Sequence, residues 1–288
     1  MTALPATRSA QKLKPFKLAR EATKYLILTF VLALMIAPLL LVWMSAMKTR
    51  LEVETDPLGL PQHWSLDNLV TAWTVGRYGT YVWNSIIITV PIVVGVVVLS
   101  CLAGYGFARL KFAGQKPLYY YLLLGLMVTV QSIMIPLFYD VKNLGLLGTH
   151  WAMILPSIGL GVPFGTFLMY SFFRRLPQEL SDAARVDGCN EFQVFRSVIL
   201  PLTSPAVSSL VVFEFMRAWN SFLLPLLFLN AESLRPITMG LLFFQGEYTA
   251  DFSLIAAGVT IASLPIIVVY LIMQRQFLRG LTAGALKG

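Results

Sequence analysis

The fold is decided by residues 86–99, IIITVPIVVGVVVL, which are apolar on every side. A stretch of this length exceeds the usual strand, and a helix without a polar face must lie in a protein interior or in a membrane. The uncharged run around it extends over residues 83–107. Because about 20 helical residues cross a hydrocarbon core of roughly 30 Å, this run predicts a transmembrane helix.

The composition of the whole chain agrees with a membrane protein. Of its 288 residues, 57% are hydrophobic and only 12% are charged, whereas soluble domains average about 25% charged residues. A soluble fold could not cover its surface with so few charges, and disordered, collagen-like and disulfide-scaffold proteins are excluded on the same grounds. The net charge of +8 would suggest nucleic acid in a soluble protein, so the position of the charges matters.

Six stretches are long and apolar enough to cross a membrane: residues 25–47, 83–107, 118–138, 152–172, 208–229 and 253–273. The alternation that is typical of barrel strands is absent. The sequence therefore predicts an all-α, polytopic membrane protein with six transmembrane helices. A basic segment (1–24) precedes the transmembrane domain (25–288), which includes a large loop (174–201) and a tail (274–288).

The loops give the orientation of the chain. Lys and Arg number 16 in the N-terminal segment, the second-to-third and fourth-to-fifth connections and the tail, against five acidic residues there; the opposite side has five basic and eight acidic residues. Under the positive-inside rule both termini are cytoplasmic. The positive charge therefore reports topology in a lipid bilayer, and we expect no nucleic acid partner.

The sequence lacks the usual catalytic motifs. It has no GxxxxGK[ST] phosphate loop, no GxSxG elbow and only two histidines, His63 and His150. We therefore expect no catalytic residue, no metal site and no cofactor bound by this chain. A six-span protein of this kind is most simply a transporter or channel component, and a membrane-embedded enzyme is the minor alternative.

The loop 174–201 reads RRLPQELSDAARVDGCNEFQVFRSVILP. Pro177 and Gly188 predict the start and the stop of a short helix, with Leu180, Ala183 and Ala184 on one face. Asn190 and Gln193 resemble a capping box that opens a second helix, which would present Phe192, Phe195, Val198 and Ile199 on one side. Such a pair could rest on lipid headgroups, but its small alanines favour docking into a partner protein.

Within this loop, Asp182-Ala183-Ala184-x3-Gly188-x9-Val198-x-Leu200-Pro201 resembles the EAA motif (EAA-x3-G-x9-I-x-LP) of bacterial ABC importer permeases, with Asp for Glu and Val for Ile. GYGFARLKFAG (104–114), MIPLF (134–138) and the ending RGLTAGALKG (279–288) are similar to maltose-type carbohydrate permeases. The resemblance covers nearly the whole chain from residue 25 onward. It implies the smaller, six-span permease of a pair with the type I ABC importer fold.

The resemblance also implies partners and roles. A second permease subunit would complete a heterodimer, two cytoplasmic ATPase subunits would use ATP and Mg²⁺, and an extracytoplasmic solute-binding protein would deliver a sugar across the bacterial inner membrane. The ATPase-coupling residues carried over by position are Asp182, Ala183, Ala184 and Gly188, with Leu200 and Pro201 setting the return into the fifth span. Residues 281–288 would also reach the ATPase.

The fifth span contains two charged residues, Glu214 and Arg217, followed by Trp219 and Asn220. Charged residues inside a membrane usually face a protein interior or a wet cavity, and an indole with an amide suits sugar binding. These four residues are candidates for the translocation pathway, or else a polar packing contact with the sister permease.

Two other transport classes remain open at this stage. An ion-coupled secondary transporter would normally carry several buried acids, but the spans contain only Glu214. A permease for glycerol-phosphate or another polar solute would, for an anion, need surplus positive charge, yet Arg217 is offset by Glu214. A sugar is therefore the favoured solute.

Overall fold

The structure, a computed structural model, describes residues 15–244 and 250–285, and every element in these ranges is helical. The α-helices, in chain order, are α1 Pro15–Ser45, α2 Arg50–Thr55, α3 Asp67–Thr74, α4 Tyr78–Arg109, α5 Gln115–Leu124, α6 Val130–Asn143, α7 Trp151–Phe173, α8 Glu179–Val186, α9 Glu191–Gln193, α10 Leu200–Leu202, α11 Ser204–Trp219, α12 Leu223–Phe228, α13 Ile237–Gly240 and α14 Phe252–Ala285. Three short 3-10 segments and one π-helical segment, Val194–Ile199, lie between them. The all-helical fold is confirmed. Residues 1–14 of the predicted basic segment, and 286–288 with the side chains of 275–285 in the tail, lie outside the described residues.

Four stretches of helix are long and apolar enough to cross a membrane singly: Glu21–Ser45, Tyr78–Arg109, Trp151–Phe173 and Phe252–Gln274. Two further candidates are bent pairs, Gln115–Met127 with Val130–Asn143 and Glu191–Leu202 with Ser204–Trp219. Counting each bent pair as one span gives six within the described residues, the number predicted from the sequence.

The third predicted span, 118–138, is broken rather than continuous. Its two halves meet at 101°, and the chain between them is extended at Val128 and Thr129. Both residues are β-branched, so they adopt an extended backbone readily. The first half ends against α7, where a Cβ on Gly125 would lie 2.7 Å from Pro163 Cγ.

The fifth predicted span, 208–229, is also different in the structure. Helix α11 begins earlier, at Ser204, and ends at Trp219, and α12 starts only at Leu223. A helix continuing through Pro225 would bring its ring against the carbonyl of the residue four positions earlier. A new helix beginning at Leu223 leaves that residue outside and avoids the clash.

The centre of the bundle is α4, which packs along α7 and α11. Glycines bring α4 and α7 close together, as in other membrane helix pairs. A Cβ on Gly95 would lie 2.6 Å from Ile158 Cδ1, and one on Gly104 would lie 3.0 Å from the backbone nitrogen of Tyr170. Pro91 stands within α4 and removes one of its backbone hydrogen bonds.

In contrast, α1 contacts little of its own chain. None of its most apolar 18-residue window is buried. Among its described side chains, those of residues 21–45, only the last turn is partly covered, where Val42 and the following Ala46 join a cluster with Ala72 and Ala257. Most of α1 therefore faces outward from this chain.

Candidate coupling loop, in-span ion pair and candidate pathway

The loop 174–201 lies at one end of the bundle, which we call the basic end because its connections carry most of the Lys and Arg. It folds into two helical segments joined at Gly188, as predicted. Gly188 has φ +84°, and a Cβ added to it would meet nothing within 4 Å. The capping box is confirmed: Asn190 Oδ1 accepts from the Gln193 amide at 2.9 Å, and Gln193 Oε1 accepts from the Asn190 amide at 2.8 Å.

The face of α8 that the sequence assigned to a partner, with Leu180, Ala183 and Ala184, is divided in the structure. Leu180 is 38% exposed and Ala183 is also exposed, whereas Ala184 is buried against the bundle together with Ser181. The exposure of Leu180 and Ala183 fits that expectation, and the burial of Ala184 does not. Two small side chains three residues apart let the α8 backbone approach the bundle closely, which a leucine on that face would prevent.

The outward side of the elbow carries a chain of ion pairs. Asp182, Ala183 and Gly188 are all exposed. Arg185 Nη1 contacts Asp182 Oδ1 at 2.6 Å, and Arg185 Nε contacts Glu191 Oε1 at 2.7 Å. The hydrogen bond to Glu191 is the largest of the effects that raise the pKa of Arg185. Arg185 thus bridges the two segments across the Gly188 hinge.

The second segment buries Val194, Phe195 and Ile199 against α4 and α7. Phe192 was predicted on the same side; its ring lies 6.3 Å from that of Phe195, but it is 60% exposed and lies at the edge of the buried set. The residues Val194–Ile199 form a π-helix, whose turn contains more residues than an α-helical one. The extra residue shifts the helical register, and the α-helical spacing used for the prediction no longer applies.

Leu200 and Pro201 lie in α10, where Leu200 is half-buried and Pro201 is exposed. Directly after them the chain turns by 79° into α11. Thr203 lies at the turn, and its hydroxyl donates to the carbonyl of Ile199 at 3.0 Å. These residues therefore occupy the return from the loop into the fifth span.

The ion pair in α11 lies at the contact with α7. Glu214 is wholly buried, and its Oε2 accepts from Arg217 Nε at 2.7 Å. Arg217 Nη2 also donates to the Ser157 carbonyl at 2.8 Å. A Cβ on Gly161 would lie 2.7 Å from Arg217 Nη2, so this glycine makes room for the pair. Glu214 Oε1 is buried without a hydrogen-bond partner among the described residues.

Trp219 and Asn220 lie apart from this pair, beside a cavity of about 530 Å³ between α11, α13 and α14. The Trp219 indole is buried, donates to the Ala262 carbonyl at 3.1 Å and stacks on Phe215. Asn220 is exposed, and its Nδ2 donates to the Met216 carbonyl at 2.9 Å. Of the four pathway candidates, the structure therefore brings Trp219 and Asn220 to the cavity and leaves Glu214 and Arg217 in a helix contact.

Two residues at the basic end were not singled out from the sequence. Tyr105 and Arg109 end the second span, and both are buried although each carries a polar head. The Tyr105 hydroxyl donates to Glu191 Oε2 at 2.9 Å, and Arg109 Nη1 donates to Gln178 Oε1 at 2.8 Å. The sequence feature that could have identified them is their spacing within the segment GYGFARLKFAG (104–114), because residues four apart lie on one face of a helix.

Residues 96–282 match the family described as the inner membrane component of binding-protein-dependent transport systems. The chain is 33% identical to the diacetylchitobiose uptake system permease protein NgcG of Streptomyces coelicolor, covering 88% of this chain and 85% of that protein. It is 30% identical to the maltodextrin transport system permease protein MdxG of Bacillus subtilis, covering 94% and 98%.

The fold is also found in a solved structure of a bacterial ABC transporter involved in importing the acidic polysaccharide alginate. One chain of that transporter superposes with a TM-score of 0.81 at 19% identity, covering 93% of this chain and 100% of that one. At this identity the likeness concerns the fold alone.

Proposed function

This chain belongs to the family of inner membrane components of binding-protein-dependent transport systems, and we propose that it is one permease subunit of an ATP-driven importer that moves a sugar across the bacterial inner membrane. The proposal includes a second permease subunit as partner in a heterodimer, two ATPase subunits and an extracytoplasmic solute-binding protein. Both termini and the basic end would then face the cytoplasm. ATP and Mg²⁺ would be bound by the ATPase subunits.

The observation that carries the proposal is the exposed elbow formed by α8 and Gly188. Its outward side presents Asp182, Ala183 and Gly188, while its inward side is fixed to the bundle through Ser181 and Ala184. A helix held on one face and bare on the other suits insertion into a groove of a partner. Since the chain has no phosphate-binding loop of its own, that partner would supply the ATPase activity.

A neutral, hydroxylated solute is favoured by the cavity beside Trp219 and Asn220. None of the described residues that line it is charged, and polar groups are supplied by Asn220, Thr238 and Ser263. Arg217, the cation of the same helix, is held by Glu214 and the Ser157 carbonyl. An anionic solute such as a glycerol-phosphate would find no positive charge on this surface. Diacetylchitobiose and maltodextrin, named for the two relatives described above, are uncharged sugars.

The ion-coupled alternative gains no support from Glu214. This carboxylate is buried, and its Oε2 is engaged by Arg217 at 2.7 Å. Glu214→Gln tests the assignment directly. If the variant keeps the uptake rate and the solute profile of the wild type, Glu214 has a packing role. If wild-type uptake depends on a proton or sodium gradient and the variant loses that uptake, Glu214 has a role in ion coupling.

The test of the coupling assignment uses the whole importer, expressed with its partner subunits and reconstituted in proteoliposomes. Gly188→Asp places a charged side chain on the exposed hinge, and we expect it to abolish uptake and binding-protein-stimulated ATP hydrolysis without reducing membrane insertion. Radiolabelled diacetylchitobiose and maltotriose serve as sugar probes, with glycerol-3-phosphate as the anionic comparison.

The matched control is Gly145→Asp. Gly145 also has a positive φ, +69°, and equally open space at its Cβ, but it lies in the connection between α6 and α7 and away from the loop. The control carries the same backbone strain and the same new charge. Wild-type uptake in Gly188→Asp, or equal loss in both variants, contradicts docking through this elbow.

A further inference from the structure

The loop 174–201 is joined covalently to only two of the spans. Its first residues continue from α7, and its last ones lead into α11. The second span, α4, has no covalent connection to the loop; beside the apolar packing of Phe195 and Ile199 on α4, the polar contacts come from Tyr105 and Arg109. The two residues are four positions apart and are 5% and 9% exposed, so they point from one face of α4 into the base of the loop.

Tyr105 connects α4 to the chain of ion pairs on the elbow. Its hydroxyl donates to Glu191 Oε2 at 2.9 Å, while Glu191 Oε1 accepts from Arg185, which in turn contacts Asp182. The Tyr105 ring packs against Phe195, with ring centroids 5.1 Å apart. A continuous path of hydrogen bonds therefore leads from exposed Asp182 to the buried end of α4.

Arg109 connects α4 to the end of α7 and to the start of the loop. Its Nη2 donates to the carbonyls of Phe173 and Leu176, each at 2.7 Å, and its Nη1 donates to Gln178 Oε1. The last carbonyls of a helix have no partner within the helix and carry its negative dipole end, so a cation there stabilises them. One guanidinium thus binds the last residue of α7, the turn that follows it and the residue before α8, and holds all three against α4.

We propose that Tyr105 and Arg109 are positioning residues that fasten the coupling loop to the second span, so that displacement of the elbow moves α4 together with α7. This inference rests on the proposed function, because the displacement is the one that a docked ATPase would impose. Close backbone contact at Gly104 already joins α4 to α7 beside the fastening. Loss of the fastening should leave docking intact and weaken the transmission of movement into the bundle.

The experiment compares Tyr105→Phe with the wild type in the complete reconstituted importer. The substitution removes only the hydroxyl and keeps the ring between its aromatic neighbours, so the protein should fold and assemble. We expect ATP hydrolysis to persist while sugar taken up per ATP hydrolysed falls about tenfold or more, the size expected for one hydrogen bond to a charged group. A purely structural role would lower both activities together through the amount of assembled complex.

Two further variants sharpen the test. Tyr119→Phe is the matched control, since Tyr119 lies at the same end on α5 and packs on Phe107 and Tyr170; we expect wild-type coupling. Glu191→Gln weakens the same link from the other side. If Tyr105 acts through Glu191, the double variant should show little more uncoupling than either single variant.

The outcomes separate this inference from the proposed function. If Gly188→Asp abolishes stimulated ATP hydrolysis but Tyr105→Phe couples normally, the elbow docks the ATPase and the fastening role is overturned. If Gly188→Asp behaves as wild type, the docking proposal is contradicted, and the fastening inference that rests on it falls with it. Uncoupling in Tyr105→Phe, absent from Tyr119→Phe, supports the fastening.

Discussion

The basic end and the middle of the bundle use charge in opposite ways. At the basic end Asp182, Arg185 and Glu191 form an ion-pair chain that is largely solvent-accessible, and each member could exchange its partner for water. In the middle, Glu214 and Arg217 form a single pair, and the carboxylate is wholly buried. The exposed ion pairs at the basic end can therefore rearrange at low cost. The buried pair in the middle, through the hydrogen bond of Arg217 to the Ser157 carbonyl, fixes α11 relative to α7.

The largest effect should follow from breaking the buried pair from one side. Arg217→Ala leaves the Glu214 carboxylate buried without its cation, and we expect a loss of about 3–5 kcal/mol in the free energy of unfolding. Unfolding in mixed detergent micelles measures it. The double variant Glu214→Gln, Arg217→Met should recover much of the loss. Equal stability of Arg217→Ala and the wild type would contradict the described contact.

Removing the cation at the end of α7 should have the next largest effect. Arg109→Ala leaves the Leu176 carbonyl without its donor and leaves the Phe173 carbonyl only the longer hydrogen bond from the Leu176 amide, at 3.3 Å, which should cost about 2–3 kcal/mol. The same unfolding measurement applies, with Arg174→Ala as control, because Arg174 lies at the same end but is exposed. A loss of similar size in Arg174→Ala would show that the effect of Arg109→Ala comes from removing a positive charge at this end of the bundle and not from removing its hydrogen bonds.

The space that the pair occupies can be tested from α7. Gly161→Ala places a Cβ 2.7 Å from Arg217 Nη2 and from Val96 Cγ2, and such overpacking typically costs about 1–3 kcal/mol. Gly159→Ala, two residues away, meets nothing within 4 Å. The control should be neutral or slightly stabilising, since alanine favours helix over glycine. If Gly159→Ala were destabilising and Gly161→Ala were not, Gly161 would not be the position that makes room for the ion pair.

The smallest change in stability is expected at the exposed end of the ion-pair chain. Asp182 is 59% exposed at its side chain, so Asp182→Asn should alter the free energy of unfolding by no more than about 1 kcal/mol. If Asp182 contacts an ATPase, uptake should nevertheless fall, and a binding assay with the purified ATPase subunits would detect it. Unchanged binding together with unchanged uptake would remove Asp182 from the docking surface.

Local signals in the sequence were sufficient for the loop's hinge and its cap. Gly188 and the Asn190–Gln193 box depend on neighbours only a few residues away, and both were predicted correctly. The side of α8 that packs on the bundle was not predicted, because Ser181 and Ala184 form no apolar stripe that periodicity could single out. The π-helical turn likewise carries no sequence signal that distinguishes it from an α-helix.

The breaks in two spans and the role of the second span's end were beyond such signals. Hydropathy runs on past Val128 and past Trp219, so windows of 20 residues join segments that the backbone separates. Tyr105 finds its partner 86 residues away and Arg109 finds the Phe173 carbonyl 64 residues away. Contacts at that separation depend on the packing of α4 against α7 and cannot be assigned from one sequence.

The proline within α4 gives this helix the geometry of a lever. From Pro91 to Arg109 the helix continues for about 27 Å at 1.5 Å per residue. A flexing of about 5° at the proline would carry the Arg109 end sideways by roughly 2 Å, comparable to the helix shifts found in switching proteins. A flexible point near the middle of α4 would therefore convert a small push at the loop into a change of tilt of the end of α4.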